Sequence, residues 1–392
     1  MTCFGNMIEG APNSKQNKMT AVKICIIGGG AAGTGIISGL QKALKQKAEF
    51  TLITNKDSFQ FYPASVRGGI DTSIAKNLFV PYTNLFKESK GKIIQSEAVK
   101  IDSKSVTLKN GDVVEFDYLV VCTGIQYSAP FKSSKSTKEE AIQQFKDLNE
   151  DIKKSKSILL VGGGPTGVEV AGEIVTDYPD KQVTLIHGGS QLIPGKYKDA
   201  FKARVKTELE IRKVKVILGE KLEDVQKYIP NSIEKGWAAG PFKAKSSTGR
   251  DLEFDLIIKT SGDGKPNSDF LKSFGSDILD ERGYVKVRPT MQFEKSDHLF
   301  SCGDVCNYGT KTLMAVATQA PVVVKNIVAL INKTKLKNAG SPPLIIGISM
   351  GRNGGVGLIF RIWGNKVTRM MKSKELMIPR AWGGMNLPAP GK

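Results

Sequence analysis

Two stretches of the chain repeat one pattern: an apolar run of strand length, then Gly-x-Gly-x-x-Gly, then small and apolar residues at helical spacing. The runs are AVKICII and SILLV, and the helical stretches are AAGTGIISGLQKALKQ and GVEVAGEIVTDY, the second of which stops before Pro179. The glycines of the two turns are Gly28, Gly30 and Gly33, and Gly162, Gly164 and Gly167. Strand, tight turn and helix in this order predict a β-α-β unit, so we expect an α/β protein with two Rossmann-like units.

The three glycines of each turn have separate tasks. The first permits the tight turn, the second lets a pyrophosphate approach the backbone, and the third lets the helix pack closely on the strand. The N-terminus of the following helix stabilises the negative charge. One such motif is weak evidence, because glycines also cap helices that bind nothing. Two copies, each inside a β-α-β pattern, predict two dinucleotide-binding sites.

Two dinucleotides in one chain suit electron transfer, since a nicotinamide donates hydride and a flavin accepts two electrons and releases them singly. We therefore expect FAD in the first site and NADH or NADPH in the second. Three further apolar stretches end in turn residues, namely YLVVCTG, LIIKTSG and LFSCGDV. In the last of them the carboxylate of Asp304 is placed to accept a hydrogen bond from a ribityl hydroxyl of FAD.

Length and residue usage narrow the class of protein. At 392 residues the chain exceeds the size at which one core stops growing, so several domains are expected. No uninterrupted run of about 18 apolar residues and no targeting segment is evident, which predicts a cytoplasmic location. No C-x-x-C occurs, and the two histidines have no neighbouring nucleophile, so neither a redox dithiol nor hydrolysis is expected. The scattered cysteines are Cys3, Cys25, Cys122, Cys302 and Cys306.

The order of these motifs, together with GGGPTGVEVAGEIVTDYPDKQVTLIH, ISMGRNGGVGLI and MKSKELM, resembles the apoptosis-inducing-factor-like flavoproteins of the two-dinucleotide-binding superfamily. Within them the likeness is greatest to the ferroptosis suppressor group of NAD(P)H:quinone oxidoreductases. It runs from about residue 22 to about residue 382, nearly the whole chain. The resemblance implies an enzyme that passes hydride from NAD(P)H to FAD and electrons onward to a quinone-type acceptor.

The resemblance also implies roles for single residues. Ala98 would meet the adenine of FAD, Asp304 would hold the ribityl chain and Arg67 would contact the cofactor. Glu169 and Lys372 are the implied catalytic residues near the flavin. From residue type alone, Arg67 and Lys372 are equally typical of solvated surface cations, and Glu169 of a partner for the helix dipole. The implied pyrophosphate-binding residues are Gly28, Gly29, Gly30, Ala31 and Ala32.

Two positions depart from the usual dinucleotide-binding pattern. The acid that binds a ribose hydroxyl about 20 residues past the first glycines is replaced by Thr54 and Asn55, with Asp57 slightly later. Weaker FAD binding, or a substitute role for Asp57, follows from this change. The corresponding residue of the second unit is His187. It has no negative charge to repel a 2′-phosphate, and no arginine is adjacent to bind one, so the choice between NADH and NADPH stays open.

Basic charge is concentrated near the C-terminal end. The net charge is +19, and residues 335–392 contain ten Lys or Arg against one acid, Glu375. The segment GLIFRIWGNKVTRMMKSKELM alternates apolar and basic residues, which suits peripheral contact with an anionic membrane or a lipid droplet surface. A helix packed on the protein is an equally good interpretation. The chain begins Met-Thr-Cys, without the glycine that myristoylation needs.

A protein that acts mainly by binding nucleic acid or a partner protein is the alternative to the enzyme. Outside the C-terminal segment no basic run is interleaved with aromatic residues, so nucleic acid is not the expected partner. For the enzyme we expect a discontinuous FAD domain (20–150 and 263–334), an inserted NAD(P) domain (155–262) and a small C-terminal α+β domain (335–392).

Overall fold

The computed structural model describes residues 21–87, 89–262 and 264–391. Cys3 and the rest of the N-terminal segment lie outside this part. The elements of the first 154 residues are, in order, β1 (Val22–Ile27), α1 (Ala31–Leu44), β2 (Ala48–Thr54), β3 (Ser58–Gln60), α2 (Ser65–Ile70), β4 (Phe79–Pro81), β5 (Lys90–Gln95), β6 (Ala98–Ile101), β7 (Ser105–Leu108), β8 (Val113–Glu115), β9 (Tyr118–Val121), β10 (Ile125–Gln126) and α3 (Lys138–Lys154).

A second set of elements follows, beginning with the second glycine-rich unit. They are β11 (Ser157–Val161), α4 (Pro165–Asp177), β12 (Gln182–His187), α5 (Asp199–Ile211), β13 (Lys215–Leu218), α6 (Val225–Tyr228), β14 (Trp237–Lys245) and β15 (Asp251–Lys259). The chain then returns through β16 (Lys265–Pro266), β17 (Leu299–Ser301) and α7 (Leu313–Ile331). It ends with β18 (Ile346–Ser349), β19 (Gly355–Ile359), β20 (Arg361–Trp363), α8 (Asn365–Thr368), a π-helical turn (Arg369–Ser373) and α9 (Ile378–Gly383).

Two five-stranded sheets form the two nucleotide-binding units. The first has the order β17-β9-β1-β2-β5, and all its pairings are parallel. The second has the order β13-β12-β11-β15-β14, with β14 antiparallel at one edge. Strand β17 comes from beyond the second sheet in sequence, yet it pairs with β9, so the first unit is built from two separate parts of the chain. This confirms the predicted α/β class with two Rossmann-like units.

Burial explains why both central strands have almost no polar residue. Consecutive residues of β1 and of β11 are buried, so both faces of each sheet are covered at these strands, and the strands are apolar along most of their length. The helix α3 between the two sheets begins with a capping box, in which Thr137 and Glu140 satisfy each other's backbone N–H groups. The charged stretch from 132 to 156 therefore contains α3.

Helix α7 is long and apolar enough to cross a membrane by length and composition, although Pro321 and Lys325 interrupt its apolar run. Its conformation within the fold accounts for that composition, because it packs against α1 and buries the side chains of Gln319 and Asn326. Both amides have hydrogen-bond partners there, which is typical of a core helix.

The C-terminal segment is a compact sheet and turn rather than one long helix. β18, β19 and β20 form an antiparallel sheet, and the short helix α8 continues directly into the π-helical turn. Leu358 faces the interior, whereas Phe360 at the β19–β20 turn is 93% exposed and Met370 is 78% exposed. The alternation of apolar and basic residues thus places some apolar side chains in the core and leaves others at the surface.

Candidate functional site

A cavity of about 790 Å³ lies at the carboxyl ends of the strands of the first sheet. This is where open α/β sheets bind their ligands. Among the residues that line it are seven of those predicted to bind FAD: Gly28, Gly29, Gly30, Ala31, Ala32, Ala98 and Asp304. The lining also includes Lys56, Lys132, Lys265 and Lys311, whose positive charge suits an anionic dinucleotide.

The first glycine turn has the shape that a pyrophosphate requires. An ideal Cβ on Gly28 would lie 2.4 Å from the carbonyl oxygen of Cys122, and the φ of Gly28 is +108°, so a side chain is excluded here. A Cβ on Gly33 would lie 2.0 Å from the carbonyl oxygen of Gly28. At Gly30 no atom lies within 4 Å of the added Cβ. The outer glycines are therefore needed for the turn, and the middle glycine leaves open space at the start of α1.

The second glycine turn repeats this geometry. Gly162 has a φ of +125°, and its added Cβ would lie 2.7 Å from the backbone nitrogen of Ser261. A Cβ on Gly167 would lie 1.9 Å from the carbonyl oxygen of Gly162. Gly164 again faces open space, and it begins α4 without a side-chain cap. Free N–H groups at a helix N-terminus beside an open glycine fit a dinucleotide phosphate, so both turns fit the cofactors that the sequence predicts.

The structure also shows which polar groups line the cavity near the position where the usual ribose-binding acid is absent. Thr54 and Asn55 line the cavity, but Asp57 does not. The Asp57 carboxylate instead accepts the backbone N–H of Lys138 at 3.0 Å, at the start of α3. The substitute role predicted for Asp57 therefore finds no support in its position. A carboxylate that the sequence analysis missed, Glu97, does line the cavity, next to Ala98.

Pairing between β2 and β5 explains how Glu97 reaches this place. Thr54 and Gln95 are register partners, and the backbone N–H of Ser96 donates to the Thr54 carbonyl at 2.9 Å. The chain therefore passes from the end of β5 along the end of β2. Only the strand order brings these two stretches together, so no local signal in the sequence identifies Glu97.

Asp304 has a partly buried cation as its neighbour in the cavity. The Lys132 Nζ lies 4.0 Å from the Asp304 carboxylate, and it also lies 4.7 Å from the centre of the Tyr62 ring. Burial lowers the pKa of Lys132, and the charge of Asp304 opposes that change. Burial raises the pKa of Tyr62 to about 12, so its phenol stays protonated at neutral pH. Lys132 was not among the residues predicted from the sequence.

Two thiols also line the cavity. Cys122 and Cys302 follow the register partners Val121 and Ser301 on the adjacent strands β9 and β17. A hydrogen bond with Cys122, together with burial, raises the pKa of Cys302, and burial raises that of Cys306 to about 11. Thiols held in the protonated form are poor nucleophiles. Although strand pairing brings two cysteines together, their environment does not favour thiol exchange.

The predicted catalytic residues Glu169 and Lys372 are in direct contact. The Lys372 Nζ donates to Glu169 Oε1 at 2.5 Å and to the Gly347 carbonyl at 2.8 Å. Glu169 lies in the second turn of α4 and is buried, and it also accepts the backbone N–H of Ser349. Residues 203 positions apart therefore form one ion pair at the junction of α4 and the C-terminal sheet.

Arg67 lies apart from the cavity lining. It is 4% exposed, and its guanidinium donates twice to the Glu173 carboxylate, at 2.9 Å and 2.7 Å. Its remaining terminal nitrogen donates to the backbone carbonyl of Ser373 at 2.6 Å. Burial raises the pKa of Glu173, and the bonds from Arg67 lower it. The contact of Arg67 with FAD thus stays a prediction from resemblance, whereas its hydrogen bonds to Glu173 and to Ser373 are seen in the structure.

His187, at the end of β12, is the residue that corresponds to the ribose-binding acid of the second dinucleotide-binding unit. The ring of His187 packs against Gly163, and burial lowers the pKa of this histidine. An ideal Cβ on Gly188 would lie 2.7 Å from the Cγ of Lys221, so the Lys221 side chain lies across the residue that follows β12. This cation comes from beyond β13, and the sequence analysis did not anticipate it.

Comparison with known proteins agrees with this architecture. Residues 22–321 match the pyridine nucleotide-disulphide oxidoreductase family. Apoptosis-inducing factor homolog A of Dictyostelium discoideum is 32% identical over 94% of this chain and 93% of its own length. Ferroptosis suppressor protein 1 of Mus musculus is 31% identical over 94% of this chain and 97% of its own length.

The solved structure of the sulfide:quinone oxidoreductase from Aquifex aeolicus shares the fold, with a TM-score of 0.74, 20% identity and coverage of 95% of this chain and 93% of that chain. The family match and the two glycine turns together establish FAD and NAD(P)H as the cofactors. The chain is an apoptosis-inducing-factor-like flavoprotein and belongs to the pyridine nucleotide-disulphide oxidoreductase family.

Proposed function

We propose that this oxidoreductase passes hydride from NAD(P)H to FAD and passes the electrons on to a quinone. The observation that carries the proposal is the pair of glycine turns, each of which leaves its middle glycine open at the N-terminus of a helix. Bound FAD would accept hydride from the nicotinamide and release electrons to the acceptor. The turn at Gly30 would hold the FAD pyrophosphate, and the turn at Gly164 would hold that of NAD(P)H.

Other residues of the chain orient the cofactors. Asp304, with Lys132 beside it, offers a carboxylate for a ribityl hydroxyl, and Ala98 offers backbone groups to the adenine. Glu169 holds the Lys372 ammonium in the junction between α4 and the C-terminal sheet, where the nicotinamide and the flavin would meet. Hydride transfer depends on this orientation more than on protein acids and bases.

A quinone is favoured as the acceptor by the resemblance of the long motifs and by the state of the cysteines. A disulfide acceptor would need a reactive thiolate, but the thiols in the cavity are buried, and the pKa of Cys302 is raised. Quinone reduction requires no such group, because the flavin can donate electrons directly.

A lipid-soluble quinone would be met at a membrane, and the C-terminal segment offers a surface for it. Phe360, Met370 and Met371 are exposed. The exposed cations of residues 357–377 are Arg361, Lys366, Arg369 and Lys374. Apolar side chains among cations suit the interface of an anionic membrane or lipid droplet. We propose a cytoplasmic protein in peripheral contact with such surfaces, and these exposed side chains support the peripheral contact.

The test of the reaction is an anaerobic titration of the purified holoenzyme. NADH or NADPH is expected to bleach the flavin absorbance, and a soluble quinone is expected to restore it rapidly, while a disulfide does not. Restoration by the disulfide at the same rate, or none by quinone, would overturn the quinone assignment. For the surface, sedimentation with anionic vesicles is expected to fall in F360S/M370S; equal binding by the variant and the parent protein would refute the membrane contact.

A further inference from the structure

Three acids at four-residue spacing on one helix connect three parts of the chain. Glu169, Glu173 and Asp177 follow one another along α4 at helical spacing. Their partners are Lys372 for the first, Arg67 for the second and Arg352 for the third. Arg67 belongs to the first nucleotide-binding unit, and the other two cations, Lys372 and Arg352, belong to residues 335–392. We call these three ion pairs the α4 ladder.

Arg67 differs from the other cations of the α4 ladder because it also bonds to the backbone beside Lys372, the cation of another ion pair of the ladder. Its bidentate bond with Glu173 fixes the plane of the guanidinium, since a planar fork matches a carboxylate in one orientation. The remaining terminal nitrogen then points at the Ser373 carbonyl, 2.6 Å away. Ser373 directly follows Lys372, whose ammonium pairs with Glu169 one turn before Glu173 on α4.

The backbone that carries Lys372 is irregular, which makes an outside support useful. Lys372 and Ser373 lie in the π-helical turn, where the Lys374 N–H donates to the Arg369 carbonyl. Turns of this kind are rare and occur frequently at functional sites. On the other side Ser373 Oγ donates to the Gly354 carbonyl at 2.8 Å. The turn is thus held by α2 through Arg67 and by the C-terminal sheet through Ser373.

We infer that Arg67 is a positioning residue for the Glu169–Lys372 pair, acting through the Ser373 carbonyl rather than by contact with FAD. This inference rests on the proposed function, in which Glu169 and Lys372 lie where the nicotinamide meets the flavin. The buried Arg67–Glu173 pair sets the position of the turn, and the turn sets the position of the Lys372 ammonium.

The test compares Arg67→Lys with Arg352→Lys in the holoenzyme. Lysine keeps the charge at position 67 but cannot bond both Glu173 oxygens and the Ser373 carbonyl with one planar fork. Arg352 is the matched control: it pairs with Asp177 and Asp71 on the same ladder and touches no residue of the π-helical turn. Stopped-flow measurement at saturating NADH is expected to show flavin reduction slowed at least tenfold in R67K and unchanged in R352K. The Kd for FAD is expected to be unchanged in both.

Hydrogen exchange gives a measurement that does not depend on turnover. The N–H of Leu376 donates to the Lys372 carbonyl at 2.7 Å, so its exchange reports on the turn. Faster exchange at 374–377 is expected in R67K and not in R352K. If R67K is too unstable to purify, R67M/E173M removes both buried charges, which often preserves stability, and still lacks the bond to Ser373.

Two outcomes would overturn the inference. A weakened FAD Kd in R67K, with normal reduction once FAD is saturating, would show that Arg67 contacts the cofactor. Equal slowing in R67K and R352K would show that the ladder only holds the parts of the chain together. Failure of the proposed function is distinguishable, because the wild-type flavin would then be reduced by neither NADH nor NADPH, or not reoxidised by quinone, while the exchange difference at 374–377 would remain.

Discussion

Alanine at Gly164 is expected to weaken NAD(P)H binding strongly without disturbing the fold or the FAD site. No atom lies within 4 Å of a Cβ added at this position, and the backbone has φ −75° and ψ 179°, which alanine adopts readily. The free protein therefore has room for the methyl group. The bound protein does not, because the methyl group occupies the path by which the pyrophosphate reaches the first N–H groups of α4.

The magnitude follows from the hydrogen bonds that would be lost. A hydrogen bond from an N–H group to a charged oxygen contributes about 1.5–3 kcal/mol. Loss of one such bond raises the Kd by about 10- to 150-fold, and loss of two multiplies these factors. FAD content should be unchanged, because the proposed site of the FAD pyrophosphate is the other turn.

The assay is calorimetric titration of the holoenzyme with NADH, next to measurement of bound flavin by absorbance. Gly30→Ala is the reciprocal control, since its Cβ also faces open space and it is expected to lose FAD while keeping its fold. Gly167→Ala is the structural control: its Cβ would lie 1.9 Å from the Gly162 carbonyl oxygen, and such overpacking costs about 1–3 kcal/mol of stability. NADH binding by G164A as tight as that of the parent protein would refute the reasoning.

Three further outcomes are expected. Lys221→Ala should raise the Kd of NADPH about fivefold and leave that of NADH unchanged, because an exposed charge pair contributes up to about 1 kcal/mol and only NADPH carries a 2′-phosphate near Gly188; equal loss for both cofactors in a binding titration would contradict this. Glu97→Gln should raise the Kd for FAD about tenfold, since an amide is a weaker acceptor than a carboxylate for a ribose hydroxyl. Asp57→Asn should leave the Kd for FAD unchanged, because Asp57 does not line the cavity. Glu220→Gln should lower the Tm most above about pH 5. Hydrogen bonds from Arg250 lower the pKa of Glu220 to about 2, so its stabilisation is present above the unfolded pKa and is lost as the pH falls towards 2; a Tm difference that grows on acidification would exclude this pair as its source.

Local patterns predicted much of this protein because their physical causes are local. In a strand that ends in Gly-x-Gly-x-x-Gly and continues as a helix, the third glycine is needed for a contact five residues away, Gly33 with Gly28 and Gly167 with Gly162. Capping also depends on near neighbours, since Thr137 and Glu140, which cap the start of α3, are three residues apart. For this reason the fold class, both glycine turns and the cofactor type follow from the amino-acid order.

The other features of the candidate site depend on contacts between residues that are far apart in the sequence. Glu97 reaches the cavity because β5 pairs with β2, Cys122 meets Cys302 because β17 pairs with β9, and Lys221 crosses Gly188 because β13 lies beside β12. Residue type could not separate Asp57 from Glu97, since each is an acid shortly after a strand. Which of them faces the cavity depends on strand order and on the direction of each loop, and these are set by packing over the whole chain rather than by neighbouring residues.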